Sequence, residues 1–178
     1  MLEFLKRVCR IFEQQQLDYM LSGSLALNIY TIPRMTRDID IVIAIEESAL
    51  APFLACFPDD AYYVSPQAAL EAVRQYRMFN LIDYASGFKL DLIVLKPEPY
   101  RQTEFHRRVK TDILGFSAYV VQPEDLILSK LLWIQELDSE RQRSDIRQLL
   151  NLENLDREYL LYWARQLQLN SFGYLDRA

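Results

Sequence analysis

An Asp-x-Asp pair inside an isoleucine-rich run constrains the fold of this chain more than any other feature. Residues 38–45 read Asp-Ile-Asp-Ile-Val-Ile-Ala-Ile. Because successive side chains of a β-strand point to opposite faces, the isoleucines share one face while Asp38 and Asp40 share the other. Their Cα atoms are then about 6.6 Å apart, so both carboxylates reach one divalent cation or bridge two. The pattern is equally consistent with a strand whose polar face meets solvent.

A glycine–serine turn precedes that strand. Residues 18–21 predict a short strand, Ser22-Gly23-Ser24 interrupts it, and residues 25–30 continue with helical spacing. Glycine lets the backbone approach a ligand closely, and the first turn of a helix offers free N–H groups to a phosphate. The same residues are consistent with Ser22 or Ser24 serving only as a helix N-cap. The order strand, turn, helix and Asp-x-Asp strand is rarer than any of its parts, and it predicts a site for a nucleotide and a metal.

A third acid lies in a later apolar strand. Residues 78–84 and 88–95 are two apolar runs joined by a short turn that contains Gly87, which is typical of a β-hairpin. Asp91 lies inside the second run, where a covered carboxylate needs a partner. Either Asp91 forms a surface ion pair, with Lys89 or an arginine, or it joins the two upstream acids around a cation. Asp91 is the only well-placed candidate for such a third acid.

The chain becomes helical after Pro123, which opens a helix with acids in its first turn. Lys130 falls within the apolar stripe of this helix, where a lysine either extends its ammonium group to solvent or meets a buried anion. Asp145 follows in a further helical stretch. Its charge is explained either by a functional role or by pairing with Arg141, four residues earlier.

These motifs, in this order, resemble the nucleotidyltransferase superfamily related to DNA polymerase beta, and within it the small bacterial toxin-type enzymes of the AbiEii/AbiGii class. The resemblance extends from the Gly23-Ser24 turn to the helix of Asp145. It implies an α+β fold with a mixed β-sheet nucleotidyltransferase core and helices packed on it. The core is expected over residues 1–122, with a C-terminal helical segment over residues 123–178 packed on it as one globular unit.

The resemblance also implies roles for particular residues. Asp38, Asp40 and Asp91 would be the catalytic and metal-binding residues. The nucleotide would be bound by Gly23, Ser24, Arg34, Arg37, Lys130 and Asp145. Arg34 and Arg37 lie in the loop before the Asp-x-Asp strand, where they are equally consistent with charge balance for the acids.

The implied activity is metal-dependent transfer of a nucleoside monophosphate from a nucleoside triphosphate, such as ATP, to an acceptor hydroxyl. The cofactor would be Mg²⁺ or Mn²⁺. The acceptor would be a tRNA or RNA end, a partner protein or a small molecule, and an antitoxin would be a partner if the chain acts as a toxin. One alternative is a non-catalytic nucleotidyltransferase fold that serves as a binding or regulatory module. Another is a phosphohydrolase that uses the same three acids.

Composition narrows the class of protein. The chain has 178 residues, of which 51% are hydrophobic, which favours one domain with a substantial core. A net charge of −5 does not attract nucleic acid, so RNA would have to bind a local basic patch, of which residues 101–110 are the best candidate. Two cysteines without metal-ligand spacing, an amphipathic N-terminal helix and the lack of a run of about 18 apolar residues indicate a cytoplasmic protein without a membrane span.

The remaining elements follow from apolar periodicity and turn residues. Helices are predicted over residues 1–16, 47–57, 66–77, 98–110, 149–155 and 157–169, and strands over 61–64 and 114–121. The tail after Asn170 is predicted to fray.

Overall fold

The Asp-x-Asp run forms a central strand of a seven-stranded mixed sheet in the computed structural model, which describes residues 1–176. The strands are β1 (Tyr19–Leu21), β2 (Asp38–Ile43), β3 (Tyr62–Val64), β4 (Met78–Asp83), β5 (Lys89–Val94), β6 (Val109–Ile113) and β7 (Phe116–Val120). Their spatial order is β3-β4-β5-β2-β1-β7-β6. β2 runs parallel to β5 and β1 parallel to β7, while the other neighbours are antiparallel. The predicted α+β fold with a mixed sheet is confirmed.

Eight helices accompany the sheet in the described part of the chain. They are α1 (Leu2–Gln14), α2 (Gly23–Tyr30), α3 (Glu47–Leu54), α4 (Pro66–Gln75), α5 (Pro99–His106), α6 (Pro123–Glu136), α7 (Glu140–Leu150) and α8 (Arg157–Gln166). Three begin at a side chain that accepts a backbone N–H of the first turn, namely Ser65, Ser139 and Asp156. In the described part of the chain, no helix is both long and apolar enough to cross a bilayer.

The isoleucine face of β2 forms the centre of the hydrophobic core. Ile39, Ile41 and Ile43 are fully buried, as the alternation of the strand predicts. The same core includes Phe12 of α1, which stacks on Phe53 of α3 with ring centroids 5.8 Å apart. Since one face of β2 is committed to this core, its polar residues are directed to the opposite face.

The helix predicted over residues 98–110 is too long. α5 ends at His106, and the next residues form the edge strand β6, whose residues pair with β7 from Val109 to Ile113. An edge strand has one neighbour and one exposed side, so it does not need the apolar run that marks a central strand. The exposed residues Lys110 and Asp112 made β6 indistinguishable from a solvated helix in the sequence.

Two predictions for the C-terminal part are also wrong. Leu149 and Leu150 are the last residues of α7, and turns follow where a helix was predicted up to Leu155. The tail does not fray up to Asp176, because Leu175 is buried in the core and Phe172 lies against the guanidinium of Arg143. Residues 177 and 178 lie outside the described part of the chain. The other predicted helices and strands are present, with their ends shifted by a few residues.

Candidate active site

The three predicted acids share one face of two neighbouring parallel strands. The register of β2 and β5 pairs Asp40 with Asp91 and Asp38 with Lys89. Because residues two apart on a strand point to the same side, these four side chains form a small lattice opposite the isoleucine face. Asp91 is 6% exposed, Asp40 is partly buried and Asp38 is exposed, so the solvent exposure of these acids increases from Asp91 to Asp38.

One ammonium group connects two of the acids. The Nζ atom of Lys89 lies 2.9 Å from Oδ2 of Asp91 and 3.3 Å from Oδ1 of Asp38. The hydrogen bond to Asp91 is the main cause of a raised pKa of Lys89. The predicted Asp91–Lys89 ion pair is therefore present. Asp91 is nevertheless buried, so the interpretation of this pair as a surface pair is wrong.

Asn80 is a further polar residue on this face, beside Asp91, and it was not predicted from the sequence. The antiparallel register of β4 and β5 places Asn80 beside Asp91, and its side-chain amide donates a hydrogen bond to Oδ1 of Asp91. The signal that could have revealed it is the hairpin register. Counting outward from the turn before Phe88, whose carbonyl accepts the N–H of Asp83, puts Asn80 opposite Asp91.

Asp40 fits against the glycine–serine turn. Its backbone carbonyl accepts the N–H of Ser22 at 2.9 Å, and the nearby backbone N–H of Ser24 favours the charged form of its carboxylate. Gly23 has a φ of +59°, and a Cβ atom there would lie only 1.9 Å from Oδ2 of Asp40. Burial, and next the charge of Asp91, raise the pKa of Asp40. Ser22 occupies the N-cap position of α2, but its side chain makes no capping hydrogen bond.

A second charged group adjoins the turn. Asp145 of α7 is 1% exposed and accepts hydrogen bonds from Nε of Arg34 at 3.0 Å and from its Nη2 at 2.8 Å. Lys130 of α6 donates to the same carboxylate at 2.8 Å. Nη2 of Arg34 also donates to the Ser24 hydroxyl at 2.7 Å. Asp145 therefore holds two cations beside the N-terminus of α2.

This arrangement decides two alternatives left open by the sequence. Lys130 meets a buried anion and does not extend to solvent, and burial lowers its pKa. Arg141 is not the partner of Asp145, since it donates to the carbonyl of Met35 instead. Burial alone would raise the pKa of Asp145, but the hydrogen bonds from Arg34 and Lys130 lower it overall.

Two further polar residues support this group, and neither was predicted. Asn28 of α2 exchanges two hydrogen bonds with the backbone of Arg34, at 2.8 and 2.9 Å, which fixes the loop before β2. Gln142 accepts a hydrogen bond from Lys130 at 2.8 Å. Each contact depends on the path of the loop between its partners, which no periodic pattern in the sequence indicates.

Arg37 is not brought into either group. Its side chain is exposed, and it makes no ion pair with any residue between 1 and 176. Arg34 pairs with Asp145, so neither arginine balances the charges of Asp38 and Asp40. Lys89 has that role for Asp38.

The basic patch around α5 is largely neutralised within the molecule. Arg101 pairs with Glu104, and Arg108 pairs with Asp18. Arg107 binds the buried Asp125 at 2.9 Å. Few charges therefore remain for a nucleic acid at this surface.

The three predicted metal ligands have suitable chemistry but are not yet arranged around one point. Among the described residues, no group of three Asp, Glu, His or Cys side chains forms a metal-holding cluster. Lys89 draws Asp38 and Asp91 toward its ammonium group, and Asp40 turns to Ser24. Carboxylate oxygens are the donors that Mg²⁺ and Mn²⁺ prefer, and a single cationic group already contacts two of the three acids. The donor set therefore fits a divalent cation.

Known structures show the same fold. The lincosamide antibiotic adenylyltransferase LnuA, bound to lincomycin, aligns with a TM-score of 0.58 at 16% identity over 83% of this chain and 94% of that one. ANT(2")-Ia in complex with adenylyl-2"-tobramycin aligns with a TM-score of 0.64 at 13% identity, over 93% and 95%. A Thermotoga maritima protein described as a "putative nucleotidyltransferase" aligns with a TM-score of 0.53 at 14% identity, over 80% of this chain and 90% of that one.

At these identities the structural likeness establishes the fold, and the sequence itself establishes the family. No curated protein matches the sequence. The family model described as "Nucleotidyltransferase of unknown function (DUF6036)" matches residues 2–170, nearly the whole chain. The chain therefore belongs to this family of nucleotidyltransferases.

Proposed function

We propose that this nucleotidyltransferase moves a nucleoside monophosphate from a nucleoside triphosphate to an acceptor hydroxyl, with pyrophosphate as the leaving group. The observation that supports this most directly is the register of β2 and β5, which places Asp40 beside Asp91 with Asp38 on the same face. The N-terminus of α2 adjoins this face through the close approach of the Asp40 carboxylate to Gly23 and the hydrogen bond from the Ser22 N–H to the Asp40 carbonyl. The acids and the N-terminus of α2 then lie side by side, which is the arrangement that would suit transfer of a phosphoryl group.

In this proposal Asp38, Asp40 and Asp91 hold Mg²⁺ or Mn²⁺. When bound, such an ion neutralises phosphate charge and lowers the pKa of an attacking hydroxyl. Asp91 is the residue proposed to accept the proton of the acceptor, and Asn80 fixes its orientation by donating to one carboxylate oxygen. The raised pKa of Asp40 means that this carboxylate is held charged at a cost, which a bound cation would offset.

The triphosphate is proposed to bind beside the turn. Gly23 and Ser24 supply the N-terminus of α2, and Lys130 and Arg34 supply positive charge. Nη1 of Arg34 is buried and has no hydrogen-bond partner among residues 1–176, so it is a donor available for a phosphate oxygen. Asp145 acts through these two cations by fixing their positions. Arg37, exposed in the same loop, would contact the phosphates or the acceptor from the solvent side.

A small molecule is the acceptor that we favour. The LnuA and ANT(2")-Ia structures contain lincomycin and an adenylylated tobramycin, both small molecules. The internal pairing of Arg101, Arg107 and Arg108 argues against the RNA patch predicted around α5. A tRNA or RNA end and a partner protein remain alternative acceptors, each a separate outcome of the experiment below.

The closer resemblance to AbiEii/AbiGii toxin-type enzymes, with an antitoxin partner, is a prediction based on the order of Lys130 and Asp145. Contact between these two residues is consistent with it. The cytoplasmic location is a prediction from the two cysteines, the amphipathic N-terminal helix and the lack of a long apolar run, and the free thiols of Cys9 and Cys56 are consistent with it. A cell lysate of a bacterial host that carries the gene is therefore the appropriate source of acceptors.

The test is incubation of the protein with Mg²⁺ or Mn²⁺, each α-labelled triphosphate in turn, and separate pools of small metabolites, total RNA and lysate protein. We expect label to enter one pool, with one pyrophosphate released per label transferred. Asp38→Asn should retain the fold and lose transfer, while Asp59→Asn, at an exposed acid outside the site, should leave it unchanged. Release of free phosphate would identify a phosphohydrolase. Nucleotide binding without pyrophosphate release would identify a non-catalytic module.

A further inference from the structure

A lysine among proposed metal ligands needs an explanation. Lys89 is the first residue of β5, and its side chain lies on the same face as Asp91, two residues later. Its ammonium group contacts both Asp91 and Asp38. In the described chain it is the group that compensates these two carboxylates, since Arg34 is committed to Asp145 and Arg37 makes no ion pair.

The ammonium group and a divalent cation would compete for the same oxygens. Both Asp38 and Asp91 turn an oxygen toward Nζ of Lys89, so a cation bound by these acids would lie against a second positive charge. Two cations at such a separation repel each other strongly in a partly buried site. Lys89 therefore has to withdraw when a metal ion is bound.

The structure allows that withdrawal. The Lys89 side chain is 39% exposed, whereas that of Asp91 is 8% exposed, so the lysine has a solvent path that its partner lacks. Asp91 keeps the hydrogen bond from Asn80, a neutral amide with no repulsion toward a cation. Asn80 can thus hold Asp91 in position while Lys89 moves.

We propose that Lys89 is an internal counter-ion: it holds Asp38 and Asp91 together in the metal-free protein and competes with the divalent cation for them. This inference rests on the proposed metal-dependent function and concerns its regulation. Lys89 is a positioning residue, acting through the two acids. Its presence lowers metal affinity and stabilises the empty site, so the two forms of the site differ by the exchange of one cation for another.

Lys89→Met removes the charge and keeps the length of the side chain, so we expect it to bind Mn²⁺ about tenfold more tightly than the natural chain. Lys89→Gln should do the same and provides a second variant if the methionine disturbs folding. Lys89→Arg keeps the positive charge and should bind Mn²⁺ like the natural chain. Lys96→Met, at an exposed lysine after the same strand, is the matched control and should also be unchanged.

Each variant is titrated with Mn²⁺ in the absence of nucleotide. Binding is measured by calorimetry and from the electron paramagnetic resonance signal of free Mn²⁺. A merely structural role for Lys89 would weaken metal binding when the residue is lost, so tighter binding is the distinguishing result. Unchanged or weaker binding by both Lys89→Met and Lys89→Gln would overturn the inference alone. No Mn²⁺ binding by any variant would overturn the inference alone, since a metal ion can also enter with the triphosphate; the proposed transfer fails only if the labelling experiment shows none.

Discussion

Gly23 and Asp40 lie so close together that a side chain at position 23 would overlap the Asp40 carboxylate. The carboxylate of Asp40 lies where a side chain at position 23 would begin, and Gly23 has a positive φ that other residues adopt at a cost. The two positions are therefore coupled: Asp40 approaches the first turn of α2 only because Gly23 has no side chain. The proposed role of Asp40 in metal binding would account for an unfavourable carboxylate in this position.

Gly23→Ala is expected to destabilise the protein by about 2–4 kcal/mol, because the new methyl group displaces Asp40 in addition to straining the backbone. Urea denaturation measures the loss. Gly87→Ala is the matched control, since Gly87 has a similar φ of +68° and nothing within 4 Å of the added Cβ. It should cost only the backbone penalty of about 1 kcal/mol. Equal losses in the two variants would contradict the proposed contact.

Asp40→Asn is expected to stabilise the metal-free protein by about 1 kcal/mol, or about 2–4 °C in Tm, while abolishing transfer. Burial and the charge of Asp91 raise the pKa of Asp40, so its charged form is disfavoured in the folded state. A raised folded pKa means that natural-chain stability falls as the pH rises through that pKa. The advantage of Asp40→Asn should then be present at pH 7 and shrink toward pH 4. Thermal denaturation at both pH values measures this advantage. A variant less stable than the natural chain at pH 7 would contradict this account.

At the scale of elements, Asp145 joins α7 to α6 and to the loop before β2. Its carboxylate takes hydrogen bonds from Lys130 on α6 and Arg34 in the loop. The loop in turn reaches Ser24 at the start of α2. These contacts fix α6, α7 and the Gly23-Ser24 turn relative to one another.

Asp145→Asn should destabilise the fold by about 3–5 kcal/mol, because two largely buried cations lose their counter-charge. Denaturation in urea gives the value. Asp138→Asn, at an exposed acid just before α7 that pairs with Arg143, is the control and should change stability far less, because solvent screens an exposed pair. A loss of similar size in both variants would show that Asp145 does not support the packing of these elements.

The stability lost in Asp145→Asn has a defined pH dependence. The folded pKa of Asp145 is lowered, so its contribution is fully present above the ordinary carboxyl pKa of about 3.9 and is lost as the pH falls through the folded pKa. The difference in stability between the natural chain and Asp145→Asn should therefore be constant from pH 8 to pH 5. It should narrow only in more acidic solution. A difference that narrows between pH 8 and pH 6 would assign the effect to another group.

Elements marked by strong periodicity were predicted well, and those fixed by neighbours were not. The alternation of residues 38–43 placed the carboxylates of β2 on one face and its isoleucines in the core, as the structure has them. The edge strand β6 was missed because β7, not its own apolar content, holds it in place. The end of α7 at Leu150 was missed because the leucines of the following turns resemble a helical stripe.

For the molecule as a whole, the sequence indicated which acids share a face of the sheet, but not the contacts that they make. Period-two spacing was enough to pair Asp38 with Asp40 and to single out Asp91. Asn80 follows from the register of the β4–β5 hairpin, whereas Asn28 depends on the path of the loop, which one sequence does not display. The exposed position of Arg37 likewise follows from the loop path. The family match supports the nucleotidyltransferase class, and the roles of these residues remain the proposal to be tested.

Pyrophosphate release by the natural chain and by Asp91→Asn tests the central proposal most directly. Both proteins would be given a divalent metal, the triphosphate they bind and the acceptor found in the labelling experiment. We expect the natural chain to release one pyrophosphate per monophosphate transferred and Asp91→Asn, still folded, to be slower by about 10³-fold or more. If the folded Asp91→Asn variant released pyrophosphate within tenfold of the natural rate, the three acids would not form the active site.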